Sequence, residues 1–372
     1  MKVLVAMDEF SGIISSYDAN RFIEEAVASQ VKDADIVQVP LFNGRHELLN
    51  AVFLWHSGTQ YRMNIHNPNM EPIEAVYGRT DKGLGVIEAE QFLVSDEPIP
   101  TQTSYGLGEV IGHALDKGVR HLAISVGGTS VFDGGAGMLQ ALGVRFYDDE
   151  GRSVDMREGA EKIKYIRRID VSQMRDDLQT CQLQILSDFD CNVYGKNSEI
   201  MQRYEEMGIS RDTAVEIDNL LWYFSELFKN NLHIALGPVE RGGAGGGIAA
   251  VAQALMNAEI ITSHALVDQI MGLDTLIQQA DLIIFGEGIN EKDQQIETSS
   301  LRIAELANQY HKVSIAICGT SDKFNYFENM QVTGMFNTFT EMPKAYPDFK
   351  MGIQLRQYTT QALKLLQAQI KM

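Results

Sequence analysis

Ile124-Ser125-Val126-Gly127-Gly128-Thr129-Ser130-Val131-Phe132-Asp133-Gly134-Gly135-Ala136-Gly137 carries an apolar strand straight into a glycine-rich loop. Glycines directly after a strand let backbone N–H groups approach a ligand, because no Cβ intervenes. At Gly127, Gly128, Gly134 and Gly135 the loop suits phosphate or carboxylate oxygens, and Thr129 and Ser130 add hydroxyl donors. Asp133 repels a bare anion, so it points to a bound cation or a proton to be moved. A tight strand-to-helix turn with Asp133 as the helix cap accounts for the same residues without a ligand.

The strand-then-glycine pattern recurs in both directions along the chain. Val3-Leu4-Val5-Ala6-Met7 reads as a buried strand with a turn at Ser11-Gly12, and Phe22, Ile23, Ala26 and Val27 follow at helical spacing. Asp35-Ile36-Val37-Gln38-Val39-Pro40 reads as a second strand. Asp281-Leu282-Ile283-Ile284-Phe285-Gly286 and Val313-Ser314-Ile315-Ala316-Ile317-Cys318-Gly319 repeat the pattern, with a helix expected over residues 300–310. Gly334-Met335-Phe336-Asn337-Thr338-Phe339 is a fifth strand, and residues 358–370 form a closing helix. These pieces compose an α/β domain with a parallel sheet, drawn from both ends of the chain. The middle is therefore an insertion. Within it, Tyr61-Arg62-Met63-Asn64-Ile65 and Ile73-Glu74-Ala75-Val76-Tyr77 predict antiparallel strands around an Asn67-Pro68-Asn69 turn. Alternation of strand and helix then resumes through Ile124, Leu183 and Ile234. The expected division is a discontinuous outer domain, residues 1–45 and 275–372, and an inserted α/β domain, residues 46–274, with the ligand cleft between them.

A chain of 372 residues is long enough for two such cores. Its formal net charge of −19 excludes the basic stripe of a nucleic-acid binder, though not an anionic substrate in a local pocket. Cys181, Cys191 and Cys318 form no CxxC pair, which favours free thiols and a cytoplasmic setting. No apolar run reaches the ~18 residues of a membrane span, and the apolar stretch near the N-terminus is too short for a secretory signal. A homo-oligomer is compatible with this composition.

A second glycine-rich run, Gly237-Pro238-Val239-Glu240-Arg241-Gly242-Gly243-Ala244-Gly245-Gly246-Gly247, opens an alanine-rich helix. Glycines leading into a helix N-terminus make an anion site, or else allow close packing through small residues. With two such loops, Gly242, Gly243, Gly245 and Gly246 join the candidates for a nucleotide-phosphate or anionic-substrate site. No GxxxxGK(S/T) occurs, and Gly106-Leu107-Gly108-Glu109-Val110-Ile111-Gly112 misses GxGxxG by one residue. Acids follow several strands: Asp8, Asp188 and Asp190, and Glu287. In open α/β sheets those ends face the ligand, where carboxylates hold Mg²⁺ beside a polyphosphate or act as a base. His46, His56 and His66 lack zinc-site spacing.

Taken in order, these segments resemble the bacterial two-domain, non-P-loop glycerate kinases over nearly the whole chain. Thr103-Ser104-Tyr105-Gly106-Leu107-Gly108-Glu109 is similar to TTYGTGE. Residues 127–138 are similar to GGSATNDGGAGM, Ser187-Asp188 to the start of CDVxNPLxG, residues 242–247 to GAGAAGG, and residues 281–288 to ADLVITGEG. The resemblance implies a flavodoxin-like domain with a second α/β domain inserted, and phosphorylation of D-glycerate with ATP and Mg²⁺. It implies a nucleotide and a small hydroxy acid as the molecules bound. On that scheme Asp188 or Asp8 accepts the hydroxyl proton, Asp188 with Asp190 holds Mg²⁺, and the glycine loops with Glu287 line the phosphate and substrate site.

The chain departs from the family pattern at charged positions. The PDSFKG lysine falls at Ser11, and the acid of ADGGEGT becomes Asn43, which binds an anion but is no base. The arginine and final lysine of RxDxQTxxGK are absent after Gly288. Arg45, Arg241 or Lys292 would be the cation to substitute. A glycerate kinase-type phosphotransferase acting on glycerate or a related hydroxy acid is expected. The alternative is a catalytically silenced relative that binds ligand or regulates.

Overall fold

The computed structural model describes residues 1–10, 12–288, 298–319, 332–338 and 347–370. Ser11, Lys292 and the rest of the segment after Gly288 lie outside them.

The chain divides into two compact units: Met1–Asn43 with Asn50–Trp55 and Ser263–Met372, and Gly44–Leu49 with His56–Thr262. In the first unit β1 (Lys2–Phe10) is followed by α1 (Ser16–Gln30), β2 (Asp35–Gln38) and α2 (Leu48–Trp55), whose first two residues count with the other unit. From Ser263 onward come α8 (Ser263–Met271), α9 (Leu273–Gln279), β11 (Leu282–Gly288), α10 (Ser299–Gln309), β12 (Val313–Cys318), β13 (Gly334–Asn337) and α11 (Pro347–Ile370). The sequence sets the boundary at 275, but α8 and α9 pack against α10 and α9 also against β1, so they belong with the outer strands. The closing helix starts earlier than the apolar pattern indicated, at Pro347, whose fixed φ suits a first helical position.

The five strands of this unit pair in parallel in the order β13-β12-β11-β1-β2. Counted among themselves they read 2-1-3-4-5, the flavodoxin-like order, with its switch point at β1 and β11. Val3, Val5, Met7, Leu282, Ile284, Ile315 and Ile317 face a core closed by Ile23 and Val27 of α1 and by Leu355 of α11. Strands buried on both faces need no alternation, which is why they read as unbroken apolar runs.

The second unit holds β3 (Gly58–His66), β4 (Pro72–Thr80), β5 (Leu84–Glu88), α3 (Tyr105–Asp116), β6 (His121–Ser125), α4 (Ala136–Ala141), β7 (Arg145–Tyr147), β8 (Arg168–Asp170), β9 (Gln182–Leu186), α5 (Glu199–Arg203), α6 (Arg211–Leu232), α7 (Ile248–Met256) and β10 (Glu259–Ile261). The main sheet runs β10-β9-β6-β5-β4-β3, parallel from β5 to β10 and antiparallel at β3 and β4. Tyr61 opposes Tyr77 and Ile65 opposes Ile73, and the two tyrosine rings stack at 5.1 Å. Ile234 is not in a strand. The strand beside β9 is β10, because Ile234 follows directly on α6, whose αL cap His233 leads into irregular chain. No described helix is long and apolar enough to cross a membrane.

Candidate active site

In the second unit the loop at residues 44–47 lies against the carboxyl ends of β6 and β9. The Gly127 amide, just past β6, donates to the Gly44 carbonyl at 2.9 Å. The Gly44 amide in turn donates to Asp188 Oδ2 at 2.8 Å, just past β9. Glycine is required at this crossing, since a Cβ on Gly127 would stand 2.6 Å from the Gly44 oxygen. Three basic side chains come to the same end of the sheet. Arg45 Nη2 is 3.3 Å from Glu206 Oε1, and His46 Nδ1 is 2.9 Å from Glu90 Oε2. Arg241 Nη1 donates at 3.0 Å to the carbonyl of Ser187, the neighbour of Asp188. Gly128, at φ +77°, lies on the Glu90 carboxylate, 2.6 Å from Oε2 to any Cβ. Asp188 is 7% exposed, so its charge acts through little water.

The remaining residues of the first loop build the loop itself. Thr129 Oγ1 donates to the Val126 carbonyl, and Ser130 Oγ accepts from the Ser95 amide while donating to Gln102 Oε1. Asp133 is fully buried and touches donors only. Its Oδ2 accepts from the Ser104 amide, Ser104 Oγ and the Gly137 amide, and its Oδ1 from the Gly135 amide. Burial pushes its carboxyl above the usual range, while those hydrogen bonds pull it back. Asp133 thus holds the start of α4 to the start of α3.

The second loop is also held by hydrogen bonds within the chain. Its amides at Gly242, Gly243 and Gly247 donate to Val239, Cys191 and Gly243 carbonyls, and Gly246 donates to Glu199 Oε2. The two loops interlock: the Gly134 amide donates to the Gly246 carbonyl at 3.0 Å. A Cβ on Gly245 would sit 2.9 Å from Val126 Cβ, and one on Gly247 would sit 3.0 Å from Gly134 Cα. Gly243 and Gly246 bring backbone against backbone, while Gly134 and Gly245 leave room for the Phe224 and Val126 side chains, and Arg45 and Arg241 bring positive charge to the same end of the sheet.

In the first unit Asp8 and Glu287 stand at the carboxyl ends of β1 and β11, on either side of the switch point, 3% and 8% exposed. Asn20 of α1 fixes the end of β1, accepting from the Met7 amide and donating to the Met7 carbonyl. Asp8 Oδ1 accepts from the Glu9 amide, and Asn43 Nδ2 lies 3.4 Å from Glu9 Oε1. Glu287 Oε1 accepts from the hydroxyl of Thr298, which itself caps α10 by accepting from the Leu301 amide.

Among the described residues no three His, Cys, Asp or Glu side chains gather as a metal cage. Mg²⁺ needs no such cage, since it takes one or two carboxylates beside phosphate oxygens and water. Asp188 fits that donor set, and the exposed Asp190 is the second carboxylate along the chain. The three thiols are free and buried, and burial raises the thiol pKa of each, Cys181 to about 11.

Sequence reasoning missed Glu90, Ser104 as the partner of Asp133, and the group Glu199, Arg203 and Glu206. The i,i+4 spacing of Glu199 and Arg203 and the i,i+3 spacing of Arg203 and Glu206 were the readable signals, those of helical ion pairs. Their partners come from distant segments.

A family model described as the glycerate kinase family matches residues 3–366. The chain is 29% identical over 326 residues to a glycerate kinase of Halalkalibacterium halodurans, covering 86% of this chain and 85% of that one. It is 27% identical to the glycerate 2-kinase of Escherichia coli K12, covering 92% and 91%. A crystal structure from Salmonella typhimurium LT2, described as a glycerate kinase 2, superposes over the whole of both chains with a TM-score of 0.87 at 25% identity. The two-unit α/β chain, with Asp188 and three basic side chains gathered at the strand ends of its second unit, belongs to the glycerate kinase family.

Proposed function

We propose that this protein phosphorylates glycerate, or a closely related small hydroxy acid, with ATP and Mg²⁺. The observation that carries this reading is the convergence of Asp188, Arg45, His46 and Arg241 on the carboxyl ends of β6 and β9. ATP would supply the phosphoryl group, and Mg²⁺ held at Asp188 and Asp190 would neutralise part of its charge. The acceptor oxygen bonds to phosphorus as the bond to the ADP oxygen breaks, and Asp188 takes the hydroxyl proton. Such transfer needs little covalent chemistry from the protein and much positioning and charge stabilisation. Arg45 and Arg241 supply positive charge that the family pattern places elsewhere. Asp188 and Asp190 are the carboxylates proposed for Mg²⁺. In the first unit, Asp8 and Glu287 mark the ligand-facing edge of the flavodoxin-like sheet.

ADP release from ATP, Mg²⁺ and D-glycerate tests this, with Asp188→Asn beside the wild type. The amide keeps an oxygen for the Gly44 N–H, so the fold is retained. The expected loss of kcat is about 10³-fold, in the range for removal of a general base. An Asp188→Asn enzyme with near-normal turnover transfers the role to Asp8, which the Asp8→Asn variant reads directly. A folded wild type that binds nucleotide without turnover on glycerate or other hydroxy acids overturns the kinase reading in favour of a silenced relative.

A further inference from the structure

Arg45 and the second glycine loop, far apart in sequence, are joined by an unbroken line of alternating charges. Arg45 Nη2 meets Glu206 Oε1 at 3.3 Å, and Glu206 Oε2 meets Arg203 Nε at 3.5 Å. The Arg203 Nη1 meets Glu199 Oε1, and Glu199 Oε2 accepts the Gly246 amide at 3.0 Å. Two cations and two carboxylates balance. The inner pair is enclosed, with Arg203 and Glu199 side chains 14% and 7% exposed. The helix that carries them is anchored, because Asp218 of α6 accepts from the Gly195 amide and from Ser198 Oγ at the entrance to α5.

A guanidinium is suited to this place. Its Nε and Nη1 address two carboxylates in different directions at once, which a single ammonium cannot do in fixed geometry. The two acids also need a cation between them, since they otherwise face each other at low effective dielectric. Glu206 is drawn below the usual carboxylate range: burial opposes this, but Arg203 and Arg45 outweigh it. Gly246 is the residue whose carbonyl receives the Gly134 amide, so the line ends where the two glycine loops interlock.

We infer that Arg203 is a positioning residue that sets Arg45 and the glycine loop at residues 242–247 as one charge-balanced unit, so that anion binding at Arg45 and the order of that loop are coupled. The inference rests on the kinase reading only for what Arg45 binds; the mechanical link stands apart from it.

Arg203→Lys keeps the charge and loses the two-way reach, and Glu206→Gln cuts the link beside Arg45. Both are read by amide hydrogen exchange of residues 242–247 and by steady-state kinetics with glycerate. Exchange at Gly246 is expected to quicken about threefold or more, and KM for glycerate to rise about threefold with kcat within about twofold, the scale of a partly exposed ion pair. In the Arg45→Gln background, Glu206→Gln is expected to add less than it does alone, since both break the Arg45 link and only the second also loses the Arg203 pair. Unchanged exchange in Arg203→Lys and Glu206→Gln, full rescue of both readouts by lysine, or additive effects in the double variant each overturn the inference. If the wild type does not turn over glycerate, the kinase reading fails alone, and the exchange measurements still decide the link.

Discussion

Asp133, which reads as a sign of a bound cation or a moving proton, also ties two helices together. An aspartate among glycines after a strand has the appearance of a base or a metal ligand, and here four donors of the chain itself converge on it. Asp133→Asn turns one acceptor oxygen into a donor facing another donor, either the Gly135 amide or the group around Ser104. A buried donor–donor clash of this kind costs about 2 kcal/mol, read as a lowered midpoint in urea with kcat largely kept in the folded fraction. A collapse of kcat without loss of stability would return Asp133 to the chemistry. The same contrast governs what was legible at the site. Asp8, Asp188 and Glu287 were visible because a strand followed by an acid is a local pattern. Glu90, Glu199 and Glu206 were not, because what makes them matter is a partner 44, 47 and 161 residues away. Glycine runs carried a double meaning, and the choice between anion cradle and backbone packing depended on which amides had partners.

At the scale of elements, the glycine loops are where the two halves of the second unit's sheet-end structure meet, and they are sensitive to single atoms. Gly246 has φ +63°, and a Cβ there would stand 2.7 Å from Phe132 Cα, a backbone atom that cannot turn aside. Gly208 has φ +68° with nothing within 4 Å of the same atom. Gly208→Ala should cost only the left-handed strain of about 1 kcal/mol, whereas Gly246→Ala adds a backbone collision and should cost roughly 3 kcal/mol or more. Thermal unfolding of the two variants side by side measures the difference, and equal shifts would show that the loops part easily. The elements themselves were largely readable. Buried parallel strands announce themselves as apolar runs ending in glycine or acid, and β1, β11 and β12 lie where those runs lie. The hairpin of β3 and β4 followed from alternation and an Asn-Pro-Asn turn. Ile234 misled because a short apolar residue pair after a long helix looks like a strand start, while β10, only Glu259–Ile261, is too short to show a period. The start of α11 was hidden because Phe349, Met351, Ile353 and Leu355 recur at every second residue, a strand's period, although the helix buries Met351 and Leu355.

Across the whole molecule, 50 acidic residues against 31 basic ones leave a self-repelling surface. Salt should therefore stabilise the protein, since raising it to about 0.1 M shortens the range of repulsion to roughly 10 Å. Glycerate should bind less tightly over the same range, because Arg45 and Arg241 are screened with the rest. The pH dependence adds to this with a definite sign. Glu88, Asp133 and Asp218 are all raised above ordinary carboxylates, in each case by burial first. A carboxyl with its folded pKa above its unfolded one takes up a proton on folding. Its stabilising contribution is complete below the unfolded value and is lost as pH rises through the folded one. Asp155, Asp170 and Asp177 behave oppositely: Arg157, Ser172 and Arg175 hydrogen bonds hold them low, and what they contribute is lost only as pH falls through their depressed values. Both effects set the stability maximum on the acid side of neutrality. At low salt the thermal midpoint should fall as pH rises from the ordinary carboxylate range through the raised folded values of these three groups, and the fall should shrink as salt screens the surface repulsion. A midpoint that climbs over that range would mean that the hydrogen bonds to Glu88, Asp133 and Asp218 outweigh their burial.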